Sequence, residues 1–384
     1  MIFEHLKPHM PTIQRIETLA HGKQCLVRIT DSDGATGLGQ TAPNMLSATV
    51  PILHDLLASL ALGRDTDDHA GLDEVVWRKA YKYTGTFLYR ALAGIDTALW
   101  DLRARRQGVP VRDLLGDGRH DTLPVYGSSL SRDRSPAAEA EFIRDGLERF
   151  GCPAFKIKIA GRRGRDIDVT PGRTEGVVQR VRDVLPESIP LMVDANGGYS
   201  PDKAIAVGRF LNDLGVCHFE EPCPHEEIDQ TGLVTAALAG LPIEVAGGEQ
   251  DYLMPVFDRL AGERLVDRVQ CDIGYCGGLT RALRVAERVD RAGLALMPHS
   301  PNPSMIFLFT LHLIASRPAE RLQLVEYNLG SEVGAGLFTP TITPADGRVA
   351  LPPDPAPGLA PGSGFGVEPD PAFIEKAEVR TSAL

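Results

Sequence analysis

A regular series of polar residues in the second half of the chain constrains its fold more than any other feature. The residues stand 26, 29, 23, 27 and 27 positions apart, each at or next to the end of a short apolar run: Asp194, Glu220, Glu249, Asp272, His299 and Glu326. A strand, a loop and a crossover helix together need about this many residues. The series therefore predicts repeated βα units whose polar residues meet at one edge, as at the mouth of a (β/α)8 barrel.

Eight candidate strands extend this series. They cover 123–129, 154–160, 190–196, 216–222, 243–249, 268–274, 294–300 and 322–328. Helical segments separate most of them; one begins at Ser200-Pro201 and another has Thr280 as a candidate N-cap. We predict an α/β fold with a closed parallel barrel, and a doubly wound sheet is the alternative.

The first third of the chain has a different pattern. Residues 11–42 alternate like strands around an Asp33-Gly34 turn, and a helical apolar face follows until Gly108. We predict an α+β domain over 1–120, the barrel over 121–335 and a C-terminal segment over 336–384. That segment is rich in Pro and Gly, and it either forms a surface loop or packs back on the N-terminal domain.

Composition restricts the partners and the compartment. The 384 residues carry a net charge of −11, which argues against a nucleic-acid or anionic-membrane surface. The chain contains no apolar run of about 18 residues, as a membrane span requires. Its N-terminus lacks the apolar core of a signal peptide, and six scattered cysteines predict reduced thiols in a cytoplasmic protein.

Strand alternation assigns side chains to the inside of the barrel. If Asp194 faces inward, the same parity turns Lys156 and Lys158 inward on the second strand. His218 then faces inward and Cys217 outward. This split argues against a zinc site, which is otherwise suggested by the four residues Cys217, His218, Cys223 and His225.

Three consecutive strands end in carboxylates, at Asp194, Glu220 and Glu249. Three such groups at one mouth repel each other unless a cation lies between them. Oxygen ligands favour a hard ion, so we predict a Mg²⁺ site rather than a Zn²⁺ site. Ion pairing with nearby Lys or Arg is the alternative.

Proton-transfer groups are predicted on both sides of this cluster. Lys156 and Lys158 lie on one side, where a neighbouring cation would lower a lysine pKa. Asp272 and His299 end adjacent strands on the other side. This arrangement suits removal of a proton α to a carboxylate, with Glu326 as a hydrogen-bonding acid or a structural carboxylate. Structural salt bridges are the alternative role of the lysines.

The ordered motifs resemble the enolase superfamily, in particular its mandelate racemase subgroup. They are KIK (156–158), VDAN (193–196), FEEP (219–222), GGE (247–249), GGLT (277–280) and PHS (298–300). The resemblance implies a modified (β/α)8 TIM barrel, an N-terminal α+β capping domain and a C-terminal segment that returns to it. It also implies one Mg²⁺ on the three carboxylates, Lys158 as base, an Asp272–His299 dyad, and substrate contacts from Lys156, Asn196 and Glu326. Gln40 departs from the family, where Glu is frequent, but lies outside the catalytic set.

The resemblance implies a small carboxylate substrate and a homo-oligomer. Dehydration of an acid sugar to a 2-keto-3-deoxy acid is the predicted reaction. Racemisation, epimerisation and sugar-lactone cycloisomerisation need the same Lys158/His299 pair. A Schiff-base aldolase acting through Lys158 and a non-catalytic metal-binding scaffold are alternatives of other classes. Lys23 and Arg15 are candidates for contacting a distal carboxylate of a diacid sugar.

Overall fold

The computed structural model describes residues 10–352 and 363–384, so residues 353–362 of the predicted C-terminal segment lie outside it. The strands are β1 Ile13–His21, β2 Gln24–Asp31, β3 Thr36–Gln40, β4 Thr122–Ser128, β5 Phe155–Lys158, β6 Leu191–Asp194, β7 Val216–Glu220, β8 Glu244–Gly247, β9 Arg268–Val269, β10 Ala295–Leu296, β11 Val325–Asn328, β12 Phe338–Thr339, β13 Arg348–Ala350, β14 Glu368–Pro369 and β15 Glu378–Ala383.

The α-helices occupy the segments between these strands. They are α1 Leu46–Ile52, α2 Ala58–Ala61, α3 His69–Lys79, α4 Thr86–Gln107, α5 Arg112–Leu115, α6 Pro136–Phe150, α7 Arg173–Val184, α8 Pro201–Asp213, α9 Ile228–Leu238, α10 Met254–Gly262, α11 Ile273–Cys276, α12 Leu279–Arg291, α13 Met305–Ala315 and α14 Pro371–Lys376. In the described part of the chain, every helix is too short or too polar to cross a bilayer.

The N-terminal region forms an antiparallel sheet in the order β15-β1-β2-β3. Its β2–β3 turn is closed by Asp31, which accepts hydrogen bonds from the N–H groups of Asp33 and Ala35. Helix α4 crosses β3 so closely that a Cβ at Gly37 would meet Ala98 O at 2.2 Å. The glycines of the GLG segment therefore allow the sheet and helix to pack. Because β15 pairs with β1, residues 378–383 belong to this sheet.

The second sheet has nine strands. Eight are parallel, in the order β10-β9-β8-β7-β6-β5-β4-β11, and β13 pairs antiparallel with β4. The predicted α/β barrel class is confirmed, but the expected full closure is not seen. Within residues 10–352 and 363–384, no strand ladder joins β10 to β11. Pro298, just after β10, has no N–H to continue a ladder. Ser300 bridges the gap, because its N–H and its hydroxyl bond to Glu326 Oε2 and Glu326 O.

Strand register brings the polar residues to one level. Lys158 on β5 pairs in register with Asp194 on β6, and Asp194 pairs with Glu220 on β7. Apolar side chains, including the wholly buried α13, fill the space outside the sheet. The prediction of Thr280 as an N-cap is wrong, since Gly278 takes that position and α12 starts at Leu279. The domain boundaries stay predictions.

Candidate active site

Three carboxylates form the centre of the site. Asp194 and Glu220 end β6 and β7, and Glu249 follows β8 after the left-handed Gly248 (φ 108°). All three are buried, and each offers an oxygen within 4.8 Å of the others. Glu220 Oε1 and Glu249 Oε2 accept no hydrogen bond from any described residue. In the described chain no other set of three His, Cys, Asp or Glu side chains converges in this way, and the Cys217/His218 set is not assembled.

Lys156 and Lys158 contact this cluster from β5. Lys158 Nζ pairs with Asp194 Oδ2, and Lys156 Nζ lies 2.6 Å from Glu220 Oε2. Burial opposes the charge of Lys156, but Glu220 and Glu326 raise its pKa well above the ordinary value. These two contacts favour the charged form of Lys156 in this arrangement, and the lowering of a lysine pKa by a cation on the carboxylates stays a prediction. Burial alone would raise the pKa of Asp194, but Lys158 and Lys156 lower it.

His299 approaches the cluster from the opposite side. Its Nδ1 lies 2.8 Å from Asp272 Oδ2, and its Nε2 lies 3.3 Å from Glu249 Oε2. Asp272 is itself held by the backbone N–H of Tyr275 at 3.1 Å. Burial opposes the imidazolium, but Glu249 and Asp272 outweigh it and raise the pKa of His299 to about 9. The ring is therefore protonated at neutral pH, with Nε2 directed toward the carboxylates.

Glu326, on β11, contacts Lys156 and Ser300. Its Oε1 is 2.8 Å from Lys156 Nζ, and its Oε2 accepts the Ser300 N–H at 3.1 Å. Burial alone would raise the pKa of Glu326, but Lys156 and His299 lower it to about 2. Of the two predicted forms, this arrangement favours the carboxylate over the protonated acid.

A buried guanidinium that the sequence analysis missed supports Asn196. Arg132, in the loop after β4, donates to Ile159 O and Ala160 O at 3.1 Å and to Asn196 Oδ1 at 2.9 Å. Asn196 has φ 42°, and its amide N–H₂ reaches Asp194 Oδ2 at 3.1 Å. Arg132 thus fixes which end of the amide faces the carboxylates.

Glu221 is a fourth carboxylate that the sequence analysis also missed. Strand alternation would turn its side chain away from that of Glu220, but its φ of 41° breaks the alternation. Glu221 lines a cavity that is also lined by Lys158 and His299. Burial, and next the charge of Glu249, raise the pKa of Glu221 well above its ordinary value. The positive φ could not be inferred from the FEEP motif alone.

A cavity of about 370 Å³ opens above the cluster. Its lining includes the buried Lys158, Glu249 and His299, the half-buried Asn196, and the exposed Arg162 and Arg163. By this difference in burial the first four residues form the inner end of the cavity and the two arginines the outer end. Of the predicted site residues, Lys23 is the one set apart. It is exposed in the β1–β2 turn and is not among the lining residues. Arg15 lies on the capping sheet beside Glu17, at 3.4 Å. Gln40 is buried and ties that sheet to α13 through the N–H of Met305, at 3.0 Å.

The donor set fits a hard divalent cation. Asp194, Glu220 and Glu249 supply only oxygen atoms, and two of these oxygens are buried without a hydrogen bond. Burial, and next the charge of Asp194, raise the pKa of Glu220, which shows the repulsion that a cation would relieve. Sulfur and imidazole ligands, which favour Zn²⁺, are absent from this trio.

Relatives of this chain fall in one family. Residues 138–373 match the model for the enolase C-terminal domain-like family, and residues 1–116 match the mandelate racemase / muconate lactonizing enzyme N-terminal domain. The chain is similar to an arabinonate dehydratase of Saccharolobus solfataricus, 29% identical over 300 residues (75% of each chain). It is also similar to a 3,6-anhydro-alpha-L-galactonate cycloisomerase of Streptomyces coelicolor, 30% identical over 318 residues (80% of this chain, 83% of the relative).

Two crystal structures agree with this relationship. A Roseobacter denitrificans protein, provisionally designated a racemase, is 38% identical with a TM-score of 0.90, covering 97% of this chain and 100% of its own. A mandelate racemase/muconate lactonizing protein from Paracoccus denitrificans, complexed with magnesium, is 28% identical with a TM-score of 0.82, covering 98% and 99%. With both domain models matched and the strand-end carboxylates gathered, this chain belongs to the mandelate racemase / muconate lactonizing enzyme family of the enolase superfamily.

Proposed function

We propose that this protein is a Mg²⁺-dependent acid-sugar dehydratase that removes the proton α to a carboxylate. One observation carries the proposal. Lys158 and His299 line the same cavity and contact different members of one carboxylate trio, Lys158 at Asp194 and His299 at Glu249. A substrate carbon above the trio would thus have a proton-transfer group on each side.

In the first step Lys158 accepts the α proton. This requires the neutral amine, a form that a cation held by the neighbouring trio would favour. The electron pair of the broken C–H bond moves into the carboxylate, which gives an enediolate with two negative oxygens. Lys156 is a buried cation near this position, and Glu326 holds it in place through the 2.8 Å contact. Asn196 directs N–H groups to the same region because Arg132 fixes its carbonyl oxygen.

In the second step His299 protonates the leaving hydroxyl. The enediolate re-forms the carboxylate and its electron pair makes a new C=C bond between the α and β carbons, as the C–O bond at the β carbon breaks. The hydroxyl takes the His299 proton and departs as water. The enol product then tautomerises to a 2-keto-3-deoxy acid. Asp272 on Nδ1 orients the ring so that Nε2 carries the transferred proton.

The trio Asp194, Glu220 and Glu249 would hold the metal ion. When bound, Mg²⁺ supplies a Lewis acid that stabilises negative charge on the substrate carboxylate. The magnesium complex of the Paracoccus relative supports this choice.

A second candidate is isomerisation by the same pair. The Streptomyces relative is a cycloisomerase, and a Lys–His pair on two sides of one carbon also suits epimerisation. In that case His299 returns a proton to carbon or to a ring oxygen, and no water leaves. The mass of the product distinguishes the reactions, because dehydration lowers the substrate mass by one water whereas epimerisation and ring-opening cycloisomerisation leave it unchanged. If the protein were instead a Schiff-base aldolase, borohydride would trap the imine between Lys158 and the substrate, and activity would persist in EDTA.

The proposal is tested with a panel of aldonates and aldarates in D₂O with Mg²⁺. We expect 2-keto acid formation, EDTA sensitivity, and loss of turnover in Lys158→Ala and in His299→Asn. The matched control is Lys203→Ala, since Lys203 is an exposed lysine on α8 outside this cavity. Full activity in both active-site variants, or turnover that persists after the metal is removed, would contradict the proposal.

A further inference from the structure

The outer end of the active-site cavity carries guanidinium groups. Arg162 and Arg163 lie in the loop between β5 and α7, four and five residues after Lys158. Both line the cavity that also contains Lys158 and His299. The loop thus places positive charge in the space above the residues proposed to act on the α carbon.

The two arginines differ in how their charges are balanced. Arg163 Nη1 makes a bidentate contact with Glu226, at 3.0 and 2.9 Å, so its charge is already paired. Within residues 10–352 and 363–384, the Arg162 side chain has neither a hydrogen bond nor an ion pair. The acids nearest in sequence are engaged elsewhere, since Asp166 accepts from Ser200 N and Asp168 accepts from Thr174.

Other described cations beside the cavity hold contacts of their own. Arg90 lies over the Tyr275 ring at 3.5 Å and donates to Gln250 Oε1 at 3.4 Å. Arg132 is buried beneath, with its donors committed to backbone carbonyls and to Asn196. Arg162 is close enough for its charge to act on that guanidinium, whose pKa is lowered by burial first and by Arg162 among its neighbours. Arg162 is therefore an exposed, uncompensated cation in a cavity of about 370 Å³, a size that suits a small molecule.

In the proposed function, the substrate carboxylate next to the α carbon lies at the inner end of the cavity. A second anionic group on the same substrate would be placed toward the mouth. We propose that Arg162 binds the distal carboxylate of a dicarboxylate acid sugar, so that the substrates are aldarates rather than aldonates. This inference rests on the proposed function, and it replaces Lys23 as the residue that recognises the distal group.

A guanidinium suits this task because it presents two parallel N–H groups to a carboxylate. An aldonate ends in a hydroxymethyl group, which offers no charge to Arg162. The discrimination should therefore depend on the terminal group of the sugar and not on its configuration.

The experiment uses pairs of sugars that share a configuration and differ only at the terminal carbon, such as galactarate and galactonate, or glucarate and gluconate. Turnover and equilibrium binding are both measured on the Mg²⁺-loaded full-length protein. We expect Arg162→Gln to reduce kcat/KM and affinity for the preferred aldarate by about 10- to 100-fold, as loss of a charge-assisted pair implies. The matched aldonate should change by less than about 3-fold, and Arg162→Lys should retain part of the preference.

Arg165→Gln is the matched control, because Arg165 is an exposed arginine of the same loop that does not line the cavity. It should leave both sugars unaffected. An equal effect of Arg162→Gln on the two sugars, no effect, or a wild-type preference for aldonates would overturn the inference. The proposed function fails separately, when no sugar of the panel is turned over. In that case the binding measurements still test the role of Arg162. The wild type should bind the aldarate more tightly than the matched aldonate, and Arg162→Gln should lose this preference.

Discussion

Replacing Asp96 with Asn should stabilise the protein at alkaline pH. Asp96 lies on α4, is 5% exposed, and accepts a hydrogen bond from Thr280 N at 3.1 Å at the start of α12. In the described structure no Lys, Arg or His approaches it within ion-pair distance. Burial therefore raises its pKa from 3.8 to about 7, although its bonds with Thr280 oppose the shift. At 1.36 kcal/mol per pH unit, this change corresponds to about 4 kcal/mol.

The sign follows from proton binding. Below pH 4 the carboxyl is protonated in both the folded and the unfolded chain, so it carries no penalty. Between pH 4 and pH 7 the folded state binds more protons, and the free energy of unfolding falls as pH rises. Above pH 7 the full penalty of up to about 4 kcal/mol applies. Asp96→Asn keeps an oxygen for the Thr280 N–H and has no charge to bury, so this penalty should disappear.

Urea unfolding of the wild type and of Asp96→Asn at pH 4, 5.5 and 8 measures the effect. The difference in unfolding free energy between variant and wild type should grow in favour of Asn by several kcal/mol from pH 4 to pH 8. Asp67→Asn is the control, since Asp67 is exposed on the same domain and should show no such growth. A difference that is constant with pH would refute the reasoning, because it would mean that Asp96 titrates alike in both states.

Three further outcomes follow from contacts in the active site. Arg132→Met should lower the free energy of unfolding by about 3 kcal/mol, because it leaves buried carbonyls without donors, and calorimetry should show weaker Mg²⁺ binding as Asn196 loses its orientation. Asp272→Asn should lower the pKa of His299 from about 9, so that the alkaline limb of the kcat profile moves to lower pH. Glu249→Gln should remove the rise in Tm that Mg²⁺ causes, a rise equivalent to about 2.7 kcal/mol at 100 times Kd.

The parts of the site that lie on strands could be predicted from sequence, because period-two alternation fixes which side chains face inward. Lys158, Asp194 and Glu220 stand in register on adjacent strands for this reason. Features that depend on distant residues or on loops could not be predicted in the same way. Thr280 resembles an N-cap in sequence, yet Asp96 from α4 supplies the acceptor that the start of α12 needs.

The charges of the buried side chains at the strand ends predict how the site responds to a metal ion. With His299 protonated, six buried carboxylates face four buried cations, so the site carries two excess negative charges: Asp194, Glu220, Glu221, Glu249, Asp272 and Glu326 against Arg132, Lys156, Lys158 and His299. Burial and mutual repulsion raise the pKa of Glu220 and of Glu221, so these two carboxyl groups are where protons would offset this excess. A divalent cation would do the same, so Mg²⁺ binding should release protons, up to about two per site. Calorimetric titrations in buffers of different ionisation enthalpy measure that number, and binding with no proton release would contradict this account of the cluster.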